Sequence, residues 1–456
     1  MTLLRSDIEK YNIPGPRYTS YPTAPEWEDQ FPESRAADAI HRFGQSNRTL
    51  SLYIHIPFCQ SMCYYCGCNV IIRKDNPQTG DKYLDYLEKE MDITRGHMKR
   101  KPLLKQFHIG GGTPNFLTID QMQRLMEMVS THFDFDPTAE IAIEIDPRVI
   151  TPPQLAHLKE VGFNRLSMGI QDFNPIVQKA VNRIQPYEDI QTLIEQARSL
   201  QFESINCDLI YGLPFQTTET FSDTIEKIVT LSPDRIALYS YAHVPWLKSH
   251  QSLIREKDLP ESQQKMSIFM MATKQLTASG YQAIAMDHFA KESDDMAKAF
   301  KTGKLHRNFM GYTLKPADDY LGMGTSAIGL VDHTFIQNTK DIKTYYSTLD
   351  SGLLPVSRGK SLTQDDRIRQ WVIQQLMCSF LVDTQQFESI FGISFRSYFE
   401  KETDHLKWCK SEGLLIEKSS VLIASEKGRL FVRLICMGFD AYLPHQKQEP
   451  AFSKAV

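Results

Sequence analysis

No run of about 18 apolar residues occurs in this sequence, so no membrane-crossing helix is expected. The N-terminus, MTLLRSDIEKYNIPG, has no apolar core of the kind that directs export. A cytoplasmic protein without a membrane span is therefore expected. Neither sign of charge is in excess. Lys and Arg number 51 against 55 Asp and Glu, a net charge of −4. A general nucleic-acid binder would carry a basic surplus, so no nucleic-acid partner is expected. A second cysteine group is also missing. Four of the eight cysteines fall between residues 59 and 68, and the other four stand singly. Structural zinc usually takes two separated pairs, or Cys with His, and disulfides need an oxidising compartment. Hydrophobic residues at 41% and charged residues at 23% are ordinary for a globular protein. A length of 456 residues points to about two or three domains.

What the chain does have is Tyr53-Ile-His-Ile-Pro-Phe-Cys59-Gln-Ser-Met-Cys63-Tyr-Tyr-Cys66-Gly-Cys68. The spacing C-x3-C-x2-C suits three thiolates on one cubic iron–sulfur cluster. Three cysteines leave one iron without a protein ligand, and an open position is what a catalytic metal site keeps. The reading is that this iron binds S-adenosylmethionine and passes it one electron. The sulfonium C–S bond then breaks to methionine and a 5′-deoxyadenosyl radical. Spacing does not decide whether Cys66 or Cys68 is the third ligand.

Residues 1–35 read as an extended arm, because Pro14, Pro16, Pro22 and Pro25 forbid a long helix. Its Arg17 can grip a carboxylate with two donors, and its tyrosines can lie on a flat ring. A plain surface leader would have the same composition. From residue 50, β-rich apolar runs recur at Leu50–Ile56, Gln106–Ile109, Glu140–Ile145, Arg165–Ile170, Ile205–Ile210 and Arg235–Tyr241. Helical patterns intervene at Lys82–Met91, Ile119–Phe133, Pro153–Val161 and Phe221–Leu231. This alternation predicts an α/β fold of parallel strands with right-handed crossovers, closed or partly closed into a barrel. Barrel chemistry sits at the C-terminal strand ends. The cysteine loop follows the first strand, and Gly110-Gly111-Gly112-Thr113-Pro114 follows the second. Glu144 shares a strand face with Ala142 and Asp146, to hold a ribose hydroxyl, an ammonium group or a buried cation. Gln171, Arg183, Asp208, Ala242 and His243 fall at or just beyond later strands.

Residues 260–350 are mixed in pattern, with Asp287–Ala290, His306–Phe309 and Leu321–Ile328 as motifs. Ser351–Gly359 reads as a linker. Beyond it, Thr363–Phe380, Ser394–Glu412 and Glu426–Leu443 read as helices and Leu414–Ala424 as a hairpin. A DNA-binding winged helix has this order of elements, but the charge balance disfavours it.

These motifs resemble the radical S-adenosylmethionine enzymes, and among them the oxygen-independent coproporphyrinogen III oxidases, also called dehydrogenases. The residues concerned are Gly15–Pro22, Cys59–Cys68, Gly110–Pro114, Asn182-Arg183, Asp208–Pro214, Met286–Ala290, His306–Thr313 and Ile435–Leu443. The resemblance implies a [4Fe–4S] cluster on Cys59, Cys63 and Cys66, with Cys68 lining the cofactor site. It implies two S-adenosylmethionine molecules. Tyr53, Gly111, Glu144 and Ile328 would contact one, and Tyr65, Gly112, Thr113, Gln171, Arg183, Asp208 and Ala242 the other. It implies an incomplete (β/α)6 TIM-type barrel over 36–360, a substrate-covering arm over 1–35 and a mostly helical domain over 361–456. The implied reaction turns two propionates of a tetrapyrrole into vinyl groups in haem biosynthesis, in a monomer served by an unnamed electron donor. Arg17, His306 and Arg307 are the candidate propionate contacts. Met310 stands where relatives usually carry Gln, and Tyr65 where Phe is common. A haem-binding chaperone would lack the cysteine at position 68 and usually the arm. A haem-modifying methyltransferase fits the arm and the His306–Thr313 motif less well.

Overall fold

Strands buried on both faces print as unbroken apolar runs, and helices between them start where a hydroxyl can cap free N–H groups. Both rules shape this chain. The structure is a computed structural model that describes residues 10–11, 13–74, 77–314 and 316–443. Of the expected arm, residues 1–9 and 12 lie outside the described residues, as do 444–456 of the expected last domain. The chain forms two compact units. One comprises Glu28–Leu259 and Lys315–Ser361, and the other Met1–Trp27, Pro260–Leu314 and Leu362–Val456.

The first unit begins with α1 (Glu33–Gly44) and β1 (Leu50–Ile56). There follow α2 (Pro77–Gly96), β2 (Leu103–Gly111), α3 (Ile119–His132), β3 (Asp134–Ile145), α4 (Pro152–Glu160) and β4 (Arg165–Gln171). Then come α5 (Pro175–Ala180), α6 (Tyr187–Ser199), β5 (Ser204–Tyr211), α7 (Thr218–Leu231) and β6 (Arg235–Ser240). The late segment adds β7 (Asp319–Met323), β8 (Ile328–Val331), β9 (Thr334–Asn338), α8 (Ile342–Asp350) and β10 (Val356–Ser361). Thr118, Thr151 and Thr217 cap α3, α4 and α7 in reciprocal capping boxes. In β1 every residue but Tyr53 is buried, as a central parallel strand requires.

Within this unit the strand order is β10-β9-β8-β7-β1-β2-β3-β4-β5-β6, with the two-residue strand Glu28–Asp29 antiparallel at the outer edge of β10. From β7 to β6 all neighbours are parallel, and from β7 to β10 all are antiparallel. The sheet is mostly parallel, and among the described residues it does not close into a full barrel. The incomplete barrel and all six expected strands are present.

Four local readings need correction, the first being the helix read over Ser394–Glu412, which is two, Phe395–Tyr398 and Thr403–Ser411. A seventh parallel strand, β7, flanks β1. At five residues, Asp319-Tyr-Leu-Gly-Met323 is too short to print a period. The linker read over Ser351–Gly359 is half strand, since β10 starts at Val356 and pairs with β9. Its Arg358 and Lys360 hid it, and Arg358 pairs with Asp29 at 2.6 Å. The single helix read over Glu426–Leu443 is two, Glu426–Leu430 and Val432–Met437. Phe431 breaks it at φ −113°, ψ 29°, with its buried ring 4.9 Å from that of Tyr11.

The second unit is mostly helical after residue 362. Gln364–Ser379 leads it, and the expected hairpin forms between Leu415–Lys418 and Val421–Ala424, with Leu381–Asp383 as a third strand.

Candidate active site

In-register parallel strands bring their C-terminal ends to one side. Glu144 lies opposite Ser167, and Gly169 opposite Asp208. A cavity of about 780 Å³, counting the space at its mouth, opens there. Its lining includes Cys59, Cys63, Cys66, Cys68, Tyr65, Gly111, Gly112, Thr113, Glu144, Gln171, Arg183 and Asp208. Twelve residues singled out from the sequence therefore meet in one place. Tyr53, Ala242 and Ile328 are not among the lining side chains. The Tyr53 ring stacks on that of His108 at 5.9 Å.

The cysteine loop is tied at both ends. Phe58–Cys59 pairs with Ile71–Ile72, and the Arg73 N–H donates to the Cys59 carbonyl at 2.9 Å. Donors face two of the sulfurs. The Thr113 hydroxyl lies 3.3 Å from Cys59 Sγ, and guanidinium nitrogens of Arg148 and Arg183 each lie 3.6 Å from Cys63 Sγ. Such groups offset the charge of thiolates. Without a metal, burial pushes the Cys59 thiol up to about 11, partly opposed by Thr113. A hydrogen bond between Cys66 and Cys68 draws Cys66 down against its burial and lifts Cys68, which burial lifts further. Among the described residues no three His, Cys, Asp or Glu side chains form a single-ion ligand set. A cubane needs none, because each thiolate takes its own iron.

The glycine loop wraps the cavity closely. The Gly112 N–H donates to the Ile56 carbonyl at 2.8 Å, and the Thr113 N–H to that of Phe58 at 2.9 Å. Gly111 sits at φ +118°, and a Cβ there would come within 2.6 Å of the His55 ring. Only glycine fits that turn. Its N–H donates to Glu144 Oε2 at 3.1 Å, while His108 Nε2 lies 3.2 Å from Oε1. Burial pushes Glu144 up, but the His108 bond, its charge and the Gly111 N–H outweigh that, and the carboxyl ends below its ordinary value. At 43% side-chain exposure it reaches the open cavity as an anion. Asp208 goes the other way. Burial, then the charge of Glu144, push it to about 7 against bonds from Asn206 and Ser167.

Arg183 donates to the Gly169 carbonyl at 2.7 Å and pairs with Asp146 at 3.4 Å. Gln171, at φ +66°, buries its Oε1 with no hydrogen-bond partner. A cradle of glycines, an anion, cations beside sulfur and an orphaned acceptor fit a cluster with a charged, nucleoside-bearing cofactor. Sequence reasoning missed Arg148, which holds Asp146 at 2.6 Å and lines the cavity. Its place two residues beyond Asp146, at a strand end, was the available signal. His108 was missed as well, and it reads as an ordinary strand residue.

Arg17, His306 and Arg307 belong to the other unit. There Arg17 pairs with Asp287. Arg307 donates to the Arg17 carbonyl at 2.6 Å and lies over the Tyr312 ring at 5.3 Å. His306 starts a short hairpin, and burial lowers its imidazole. Met310 sits in that hairpin's turn, with its N–H on Asn308 Oδ1 at 2.8 Å.

An open parallel α/β sheet carrying a three-cysteine loop and a glycine loop at its strand ends defines the radical S-adenosylmethionine class. The radical SAM superfamily model matches residues 53–228, and the HemN C-terminal domain model matches 362–431. The chain is 44% identical over 454 residues to the oxygen-independent coproporphyrinogen III oxidase of Salmonella typhimurium, covering 98% of this chain and 97% of that protein. It is 44% identical over 449 residues to that of Escherichia coli K12, again 98% and 97%. The solved coproporphyrinogen III oxidase (HemN) of Escherichia coli, described as a radical SAM enzyme, superposes with a TM-score of 0.90 at 43% identity. That match covers 94% of this chain and all of the other. The chain belongs to the oxygen-independent coproporphyrinogen III oxidases. Membership carries a [4Fe–4S] cluster and S-adenosylmethionine with it, and no helix among the described residues is long and apolar enough to cross a membrane.

Proposed function

We propose that this protein converts two propionates of coproporphyrinogen III to vinyl groups without oxygen, giving protoporphyrinogen IX. The observation that carries the reading is the meeting of the cysteine loop, glycine loop, Glu144 and Arg183 in one cavity. Cys59, Cys63 and Cys66 hold the cluster in this reading, and Cys68 lines the cavity beside it. Tyr53, Gly111, Glu144 and Ile328 serve one S-adenosylmethionine, and Tyr65, Gly112, Thr113, Gln171, Arg183, Asp208 and Ala242 a second. When bound, cluster and cofactor supply a carbon radical strong enough to take a hydrogen from an unactivated propionate β-carbon, whose loss of CO2 and one further electron leaves a vinyl group.

The side chains do the holding. Glu144, kept ionised by His108 and the Gly111 N–H, receives an ammonium group or ribose hydroxyls. The glycine backbone lets a flat ring lie against the loop. Arg148 and Arg183 steady the Cys63 sulfur. Arg17, His306 and Arg307 serve as propionate contacts, and the arm over residues 1–35 as the substrate's cover. The reading includes a cytoplasmic monomer, supported there by eight cysteines with no disulfide, and an electron donor outside this chain. The barrel with its three-cysteine loop would be residues 36–360, and the helical domain 361–456.

The test is anaerobic reconstitution with iron and sulfide. The expected outcome is a brown protein that, with reductant and S-adenosylmethionine, forms 5′-deoxyadenosine and turns coproporphyrinogen III into protoporphyrinogen IX. Cys63→Ala should lose cluster and turnover together. Cys68→Ala should keep its iron and lose turnover. Full cluster content in Cys63→Ala, or zinc without acid-labile sulfide in the parent, overturns the reading.

A further inference from the structure

Just beyond β6, three side chains from one short segment reach the outside of the cysteine loop. The Lys248 ammonium donates to the Cys68 carbonyl at 2.9 Å. His250 Nε2 lies 2.7 Å from the Cys66 carbonyl, and the Gln251 amide donates to the Tyr65 carbonyl at 2.9 Å. A hydrogen-bonded main-chain group that would otherwise face water or a sulfur is thereby fixed in direction. The segment is itself rigid. Ser249–Leu253 forms a 3-10 turn, and Gln251 is 1% exposed. Its amide oxygen accepts the Val244 N–H at 2.7 Å, so one side chain ties the segment's start to the cysteine loop. Ile254 shares an apolar cluster with Val177, Val181 and Tyr241, against which Tyr64 and Tyr65 pack. From α5's side the Tyr64 N–H donates to the Val181 carbonyl at 3.0 Å, and Asn182 donates to that of Met62 at 2.8 Å.

We propose that Lys248, His250 and Gln251 are positioning residues, a strap that holds the Tyr65–Cys68 half of the loop in ligating shape. The claim rests on the reading of this loop as a cluster site. Its physical content is directional. With three carbonyls turned outward to the strap, the thiols of Cys66 and Cys68 face the cavity. Binding a cluster then costs little reordering of the loop. The strap pins the main chain on both sides of Gly67.

The test compares two double variants of the full chain. Lys248→Met with His250→Leu removes both donors while keeping bulk. Lys248→Arg with His250→Gln keeps a donor at each position. Hydrogen–deuterium exchange of the metal-free protein reads the strap without any cluster. Amides of residues 64–69 should exchange about tenfold faster in the first variant, and within about twofold of the parent in the second, as two lost hydrogen bonds imply. After anaerobic reconstitution, a chelator should strip iron about tenfold faster from the first variant only. Unchanged exchange in the Met/Leu protein overturns the strap, as does equal loss in both variants, which would signal packing alone. If the double variant does not fold, Lys248→Met alone gives the same reading at Cys68. Parent protein that takes up no iron and sulfide defeats the cluster reading, whereas the exchange arm still decides the strap.

Discussion

Asp208 and Glu144 are two carboxyls in one cavity set in opposite directions by their neighbours. Glu144 has a histidine bonded to it and a backbone N–H, while Asp208 has Asn206, Ser167 and only the more distant charge of that histidine to offset burial and a nearby negative charge. The consequence for stability has a definite sign. Asp208 rises to about 7 in the folded protein from an ordinary 3.8. The fold therefore keeps a proton that the unfolded chain has released, and stability falls as pH rises from about 4 to about 7. Asp208→Asn keeps an acceptor for Asn206 but has no proton to lose. Urea denaturation of the metal-free protein should show the variant gaining on the parent across that window, by on the order of 1–2 kcal/mol at pH 8. Parallel pH profiles for the two proteins would show that Asp208 is not the group responsible.

At the level of elements, one buried carboxylate in α2 holds the turn between β7 and β8. Glu90 accepts the Gly324 N–H at 2.8 Å and the Tyr345 hydroxyl at 2.5 Å on one oxygen, and Asn338 at 2.6 Å on the other. Two turns earlier on the same helix, Tyr83 donates to the His55 carbonyl at 2.7 Å and accepts the Thr325 N–H at 3.0 Å. Helix, first strand and late turn thus share one polar network. Glu90→Ala strands three buried donors and leaves a hole, and should cost about 3 kcal/mol in urea denaturation. A melt superimposable on the parent's would mean the network contributes nothing. None of this was visible in the sequence, because Glu90's partners stand 234, 248 and 255 positions away. The six central strands were legible for the opposite reason: burial on both faces writes itself into consecutive residues. Strand β7 was not, since five residues with a glycine at the fourth show no period. The cysteine and glycine loops were legible because their chemistry is contiguous, while His108 matters through Glu144 and Arg148 through Cys63, both brought to them by the fold, although the local pair of Arg148 with Asp146 was there to read.

At the scale of the whole molecule, the smaller unit is assembled from three stretches far apart in sequence, and its arm residues are structural members of it. Arg433, 6% exposed, gives its guanidinium to the carbonyls of Gly15 and Pro16. Tyr18 donates to Asp440 at 3.0 Å, and Gln370 donates to the Tyr21 carbonyl at 3.0 Å. The Tyr21 hydroxyl accepts the Ala441 N–H at 3.0 Å, and Trp27 packs edge-on to Phe309 at 5.6 Å. Asp287 is held far below its usual range, burial being outweighed by Arg17 and then His288. Deleting residues 1–27 would leave a buried guanidinium and a buried carboxylate short of partners and remove four buried aromatic rings, those of Tyr11, Tyr18, Tyr21 and Trp27. The expected result is local. Limited proteolysis should cut within 362–443 about tenfold faster than in the full chain, while a fragment spanning the parallel strands from residue 50 to 240 survives. Equal resistance of both regions would show the arm to be only a leader on the surface, as its composition alone allowed.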